Sequence, residues 1–174
     1  MRVVLGFLLA VFSCSLLAAN PVTAIRDFTP EKYLGSWYEV ARLPMFFERN
    51  CRVPIIAHYR ADPKNDTAIL VQNSCMKTDG KISIANGVAH FTKTPNVAEL
   101  KVTFLPALFR WVPFTSGDYW VLYTDYTHYA LVGDPSHKYL WILSRNEHTS
   151  REQVAKLVES AKAQGFATDE LIFN

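Results

Sequence analysis

The feature that most constrains this chain is a pattern of period two: after a leading apolar stretch, short runs of alternating side chains follow one another eight times. The runs are Trp37 to Leu43, Val53 to Arg60, Ala68 to Cys75, Lys81 to Phe91, Glu99 to Leu105, Tyr119 to Asp125, His128 to Gly133 and Lys138 to Arg145. Alternation at this period places successive side chains on opposite faces of an extended strand. Turn chemistry separates the runs at Asp62-Pro63, Asp79-Gly80, Thr94-Pro95-Asn96, Ser116-Gly117 and Asp134-Pro135. Strands so evenly spaced form an antiparallel meander, and closing eight of them on themselves removes every exposed edge. The expected fold is all-β, an eight-stranded antiparallel up-and-down barrel whose interior has room for one small ligand. A chain of 174 residues with 49% hydrophobic content can fill one such core, which argues for one domain.

The period changes once. Ser150 is a helix-capping residue followed by Arg151, Glu152 and Gln153, and Val154, Leu157, Val158 and Ala161 recur at helical spacing as far as Gly165. The reading is one C-terminal α-helix, with its apolar stripe packed on the outside of the barrel. Charge points to no polyanionic partner. Eighteen basic and sixteen acidic residues give a net charge of +2 with no basic patch, so nucleic acid is not expected as a partner.

The first residues read as an export signal: Arg2, an apolar run from Val3 to Phe12 that continues through Leu17, then Ala18, Ala19 and Ala24. The run is interrupted by Ser13-Cys14-Ser15 and stops at Asn20-Pro21, short of the roughly 20 apolar residues that span a bilayer. Two cleavage sites compete. Val22-Thr23-Ala24 is an ordinary one, giving a signal peptide of residues 1–24 and a domain of residues 25–174. Ala10-Val11-Phe12-Ser13-Cys14 resembles a lipobox, giving a signal of residues 1–13 and a lipidated Cys14. The first outcome is a soluble periplasmic or secreted protein and the second is anchored in the outer membrane.

Export leaves two cysteines where disulfides persist. Folding the hairpin about Pro63 sets Cys51 opposite Cys75, a cross-strand spacing a disulfide can bridge. No Cys-x-x-Cys pair or neighbouring histidine suggests a metal, and no Cys-His-Asn set suggests a nucleophile, so a structural bridge is expected and no metal or cofactor is.

Tyr33-Leu34-Gly35-Ser36-Trp37-Tyr38-Glu39-Val40-Ala41-Arg42 resembles the Gly-x-Trp segment that opens the lipocalin barrel. Phe47-Glu48-Arg49, Thr124-Asp125-Tyr126 leading into Ala130-Leu131-Val132, and Tyr139-Leu140-Trp141-Ile142-Leu143-Ser144-Arg145 follow in the family's order and spacing. The combination is similar to the bacterial lipocalins related to apolipoprotein D. That resemblance implies a binding protein for a fatty acid or lysophospholipid, in some members an outer-membrane lipoprotein. It also implies structural roles for Gly35, Trp37 and Arg145, with the guanidinium stacked on the indole at the closed end, worth roughly 0.5 to 2 kcal/mol.

Period-two alternation then proposes the lining: Val53, Ile55, Ala57 and Tyr59 on one strand, Ile69, Val71 and Asn73 on its partner, then Leu100, Val102 and Phe104, and Trp120 with Leu122. Spacing alone is equally compatible with a solid core; the resemblance is what favours a cavity. Asn73 and Tyr59 are the polar groups expected to orient a ligand, and the mouth is expected to be neutral. Two loops after odd-numbered strands, one with Phe46 and Phe47 and the other running from Leu105 to Phe114 with Phe109 and Trp111, ring that mouth in an up-and-down barrel. Their apolarity suggests a lipid gate, a membrane-surface contact or a homodimer interface, or loops folded over their own barrel. No enzyme is expected: the five histidines are scattered, and there is no Gly-x-Ser-x-Gly, metal-spaced His/Glu pair or phosphate loop. Two rival functions stay open, a lipid or isoprenoid enzyme on this fold and a structural envelope protein with a filled barrel.

Overall fold

A computed structural model describes residues 21–109, 112 and 115–174. A short helix α1 (Pro30–Tyr33) precedes eight strands: β1 (Gly35–Arg42), β2 (Cys51–Ala61), β3 (Ala68–Lys77), β4 (Ile82–Phe91), β5 (Glu99–Thr103), β6 (Gly117–Thr124), β7 (Tyr129–Gly133) and β8 (Leu140–Ser144). Helix α2 (Arg151–Ala163) and a two-residue strand β9 (Ile172–Phe173) complete the chain. Each strand pairs antiparallel with the next, and β1 pairs with both β2 and β8, which closes the eight-stranded up-and-down barrel. β1 divides its length between these neighbours. Gly35 to Tyr38 face β2, while Tyr38 to Arg42 face β8, and β9 is added beside Ala41 and Arg42.

Two apolar cores follow from this wall. The inner one fills the closed end with Phe28, Tyr33, Trp37, Tyr59, Ile69, Leu100, Val121 and Val132. Beneath it, the segment around Ile25 is tied to Ala98 and Val121 by backbone hydrogen bonds. The outer core lies between α2 and the outward faces of β1, β6, β7 and β8, where Val154, Leu157 and Ala161 meet Ala41, Leu122, Leu131, Leu140 and Ile142. Helix α2 starts where its sequence says it should: Ser150 Oγ accepts from the Gln153 N–H and Gln153 Oε1 accepts from the Ser150 N–H, a reciprocal capping box. Val22 is buried against the outer core and Ala24 in the inner one, so ordered packing begins ahead of residue 25.

The disulfide joins Cys51 to Cys75 with Cα atoms 5.5 Å apart. The cysteines are not direct partners, as the simple hairpin register has them. Cys51 stands opposite Lys77, and pairing is interrupted between Arg52 and Ile56, where β2 carries extra residues around Pro54. Proline lacks the N–H a ladder needs, and a bulge bends the strand outward. Val53, expected inside, is consequently 54% exposed on the outer surface. Replacing both cysteines by alanine is expected to lower stability by about 3 kcal/mol, the loop-closure entropy released to the unfolded chain. Chemical denaturation of oxidised and double-mutant protein checks this, and equal midpoints would remove the bridge from the list of stabilising features.

Strand β6 departs from expectation in phase. Tyr119 and Val121 point inward, Leu122 belongs to the helix-side core, and Trp120 is half-buried in contact with both cores. Because α2 covers the outside of β6, both of its faces are apolar and the polar-out signal that sets phase is missing.

Candidate ligand cavity

The upper half of the barrel is hollow. A cavity of about 720 Å³ opens between the β1–β2 and β5–β6 loops and descends to Tyr59 and Tyr119. Of the residues expected inside, Ile55, Ala57, Tyr59, Val71, Asn73, Val102 and Phe104 line it. Ile69 and Leu100 lie lower, in the closed-end core. Val53, Trp120 and Leu122 do not face it, for the reasons given above. Alternation also passed over several lining residues: Ala85 and Ala89 on β4, and Tyr139, Trp141 and Leu143 at and along β8. On β8 the two faces are equally apolar, so period two has no polar marker to choose between them.

At the rim, Phe46 is 75% and Phe47 50% exposed, and both border the cavity. Phe109, in a 3-10 turn of the β5–β6 loop (Ala107–Phe109), is 51% exposed and stands outside the lining. Trp111 and Cys14 lie outside the described residues. Rings continue inward from the rim, with Phe47 against Tyr139, Tyr139 stacked on Trp141 and Trp141 near Tyr119.

The mouth is not neutral, which corrects the sequence-based expectation. Glu39 Oε1 accepts from Arg42 Nη1 at 2.9 Å and from the Asn174 amide at 2.8 Å. Arg42 Nε lies 3.2 Å from Glu48 Oε2, a charge contact without hydrogen-bond geometry, and Glu48 Oε1 accepts from Trp141 Nε1. Period two would put Glu39 and Arg42 on opposite faces; a register shift between Glu39 and Ala41 brings them together. Two carboxyl groups share one guanidinium here. Burial, reinforced by the Glu48 charge and opposed by Arg42, pushes the Glu39 carboxyl up to about 8. Glu39 also borders a second, outer pocket of about 390 Å³ between β1 and the β2 bulge, facing Glu147 and His148.

A stability consequence follows with a definite sign. An acid whose folded pKa is raised loses nothing below its unfolded value, near 4.5, where both states are protonated. Between about 4.5 and about 8 the unfolded chain ionises first, so stability falls as pH rises, by roughly a few kcal/mol, and levels off above. Thermal melts across this window should show that decline in the native chain and a flatter profile in Glu39→Gln. Equal slopes would mean that Glu39 titrates normally.

The closed end is held by one side chain. Arg145 stacks on Trp37 with its guanidinium carbon 3.7 Å from the ring centroid and donates to the backbone carbonyls of Tyr126, Ser36, Lys32, Tyr33 and Leu34. Gly35 adopts φ +98°, and a Cβ there would stand 3.2 Å from Arg145 Nη1, so glycine fits both the backbone and the approach of the guanidinium. Among the described residues no group of His, Cys, Asp and Glu is arranged to hold a metal, and no helix is long and apolar enough to cross a membrane.

A closed barrel, plugged at one end by a Trp–Arg stack and hollow at the other, is the architecture of a small-molecule-binding cup. Residues 29–174 match the Lipocalin-like domain family, and the chain belongs to it. It is similar to temperature-induced lipocalin-1 of Arabidopsis thaliana, 38% identical over 84% of this chain and 78% of the relative. It is also similar to outer membrane lipoprotein Blc of Vibrio cholerae, 36% identical over 87% of this chain and 85% of the relative. Apolipoprotein D of Cavia porcellus is 35% identical over 75% of this chain and 68% of its own. The fold is shared with insecticyanin of the tobacco hornworm Manduca sexta, with TM-score 0.71, 24% identity and coverage of 90% and 85% of the two chains.

Proposed function

We propose that this lipocalin binds a lipid-like ligand, a fatty acid or lysophospholipid, in the barrel cavity and carries or stores it in the cell envelope without chemical change. The observation that carries this reading is the cavity itself: about 720 Å³, within the range of small-molecule sites, lined mainly by Ile55, Ala57, Val71, Val102, Phe104, Trp141 and Leu143. An acyl chain there exchanges water for apolar side chains at about 0.8 kcal/mol per methylene. The designation of the Blc relatives as outer membrane lipoproteins supports an envelope location, with export by the leading segment and either release or acylation at Cys14. Exposed Phe46 and Phe47 at the rim, with exposed Leu108 and Phe109 on the β5–β6 loop, give the loops around the mouth an apolar surface, which suits transfer of ligand at a membrane; pairing of two barrels through these loops is the other use of such a patch. Native mass spectrometry of protein purified from its own host, with lipid extraction, tests the proposal. A co-purifying acyl lipid is expected, whereas an empty barrel that refuses added fatty acids and lysophospholipids would sink it.

A further inference from the structure

The deepest part of the cavity is polar in a way that an acyl chain does not need. Tyr59 from β2 and Tyr119 from β6 form its floor, and Tyr33 from α1 lies directly beneath, 1% exposed. Their hydroxyls form a line centred on Tyr119, 2.9 Å from Tyr33 and 2.7 Å from Tyr59. We propose that this line is a hydrogen-bonding subsite, in which the Tyr59 and Tyr119 hydroxyls hold a neutral oxygen group, an alcohol or carbonyl, at the buried end of an elongated apolar ligand. The proposal rests on the reading of the cavity as a lipid site and deepens it.

Three points support it. The first is a proton count. Three hydroxyls carry three protons, and two oxygen–oxygen links use two of them, so one O–H is left over whichever way the line is oriented. Tyr33 is sealed in the core, so the orientations that leave no donor stranded have Tyr33 donate to Tyr119, and the spare O–H then belongs to Tyr59 or Tyr119, both of which line the cavity. Second, packing alone does not call for these groups. Phenylalanine at the three positions would fill nearly the same volume without three hydroxyls to desolvate. Third, a buried acceptor stands on the adjoining wall. Asn73 Oδ1 is inaccessible and has no hydrogen-bond partner, and it sits on β3 one inward position above Val71, the direct partner of Tyr59. An alcohol, which both donates and accepts, suits phenol hydroxyls that can do both, beside a wall whose own buried acceptor is unpartnered.

Charge narrows the ligand class further. Arg145, the cation stacked on Trp37 at this end, already directs its N–H groups at backbone carbonyls. Burial pushes all three phenols upward, which keeps them protonated donors. The described residues that line the cavity include no cation, so an ionised carboxylate at the floor would go unpaired and the buried group is neutral.

The test compares saturated fatty acids of graded length with their ω-hydroxy counterparts, titrated into the full chain by calorimetry. On an apolar floor, an added terminal hydroxyl weakens binding by roughly tenfold or more, because it is desolvated without a partner. Here the sign reverses: at the length that reaches the floor, the ω-hydroxy acid binds as tightly as the plain acid or up to about tenfold tighter. Tyr59→Phe, with Tyr119→Phe as the second variant should the first fold poorly, is expected to restore the penalty, read as the ratio of the hydroxy acid's affinity to the plain acid's within the same variant. Weaker binding of the hydroxylated chain at every length, or a preference that survives in both folded variants, overturns the subsite and leaves the lipid site standing. Failure of both series to bind at all overturns the reading of the cavity, and the subsite falls with it.

Discussion

Trp37→Ala is expected to lower unfolding free energy by about 3 to 5 kcal/mol, the cost typical of truncating a buried tryptophan, and the melting temperature by roughly 10 °C or more. Trp37 is fully buried, donates from Nε1 to the Tyr33 carbonyl at 2.8 Å, and supports the ring of Tyr33 on one side and the Arg145 guanidinium on the other. Arg145→Ala should have an effect of similar size through a different route. The carbonyls of Lys32, Tyr33, Leu34 and Ser36 converge on one guanidinium fork, and each loses a charge-assisted partner when it goes, about 1.5 to 3 kcal/mol apiece and far from additive. Arg145→Lys separates charge from geometry. A point charge on a flexible stem cannot reproduce the planar fork or the stack on Trp37, so the lysine variant should recover less than half of the loss. Neither residue lines the cavity, so ligand affinity per folded molecule should stay within a few-fold of the native value. A variant that kept its melting temperature and lost ligand would move this pair from the scaffold to the site.

The parts of this molecule that were legible in its sequence are those where one face of an element meets water. His58 and Arg60 on β2, Gln72 on β3 and Lys101 on β5 mark the opposite face, and Ile55, Ala57, Tyr59, Val71, Asn73 and Val102 border the cavity as their spacing predicts. Helix α2 was legible from its capping box and apolar stripe. Three kinds of residue were not. Where α2 covers the wall, both faces of β6 and β8 are apolar and phase is undetermined, so alternation predicts Trp120 and Leu122 inside where the barrel places Tyr119 and Val121. Where the ladder slips, parity is lost: the interruption around Pro54 carries Val53 outward, and the shift after Glu39 turns Arg42 inward. Charged residues inside the mouth look the same in sequence as charges on a solvent face, so the Glu39–Arg42–Glu48 cluster had no signature of its own. Short elements such as α1 and β9 are set by tertiary contacts, with Asn174 bonded to Glu39 and Val40 at the end of β9.

The largest expected effect on function is that of Val102→Asp, which should abolish binding of an acyl chain in a barrel that remains folded. Val102 is half-buried on β5, faces the cavity and is paired with Ala89 and Gly117 on its neighbours, so a carboxylate there lies in the path of a ligand, and the described residues that line the cavity include no cation to receive it. In the empty cavity the group is hydrated. Binding must either strip that water, at several kcal/mol, or protonate the acid first. About 3 kcal/mol corresponds to a loss of affinity of roughly a hundredfold or more, against a gain of about fourfold for each methylene added to the chain until the cavity is full. Titration of fatty acids and lysophospholipids of graded length, followed by the fluorescence of Trp141 and its neighbours, should therefore give an affinity that climbs with length in the native chain and stays negligible in the variant. Val71→Asp, placed deeper and opposite Tyr59, repeats the test at a second point on the wall, and melting curves establish that each variant is folded. The electrostatic origin has its own check. Binding to Val102→Asp should partly return as pH falls through the carboxylate range and the side chain becomes neutral, which a purely steric block would not allow. Unchanged affinity in both folded variants would mean that these walls do not enclose the ligand.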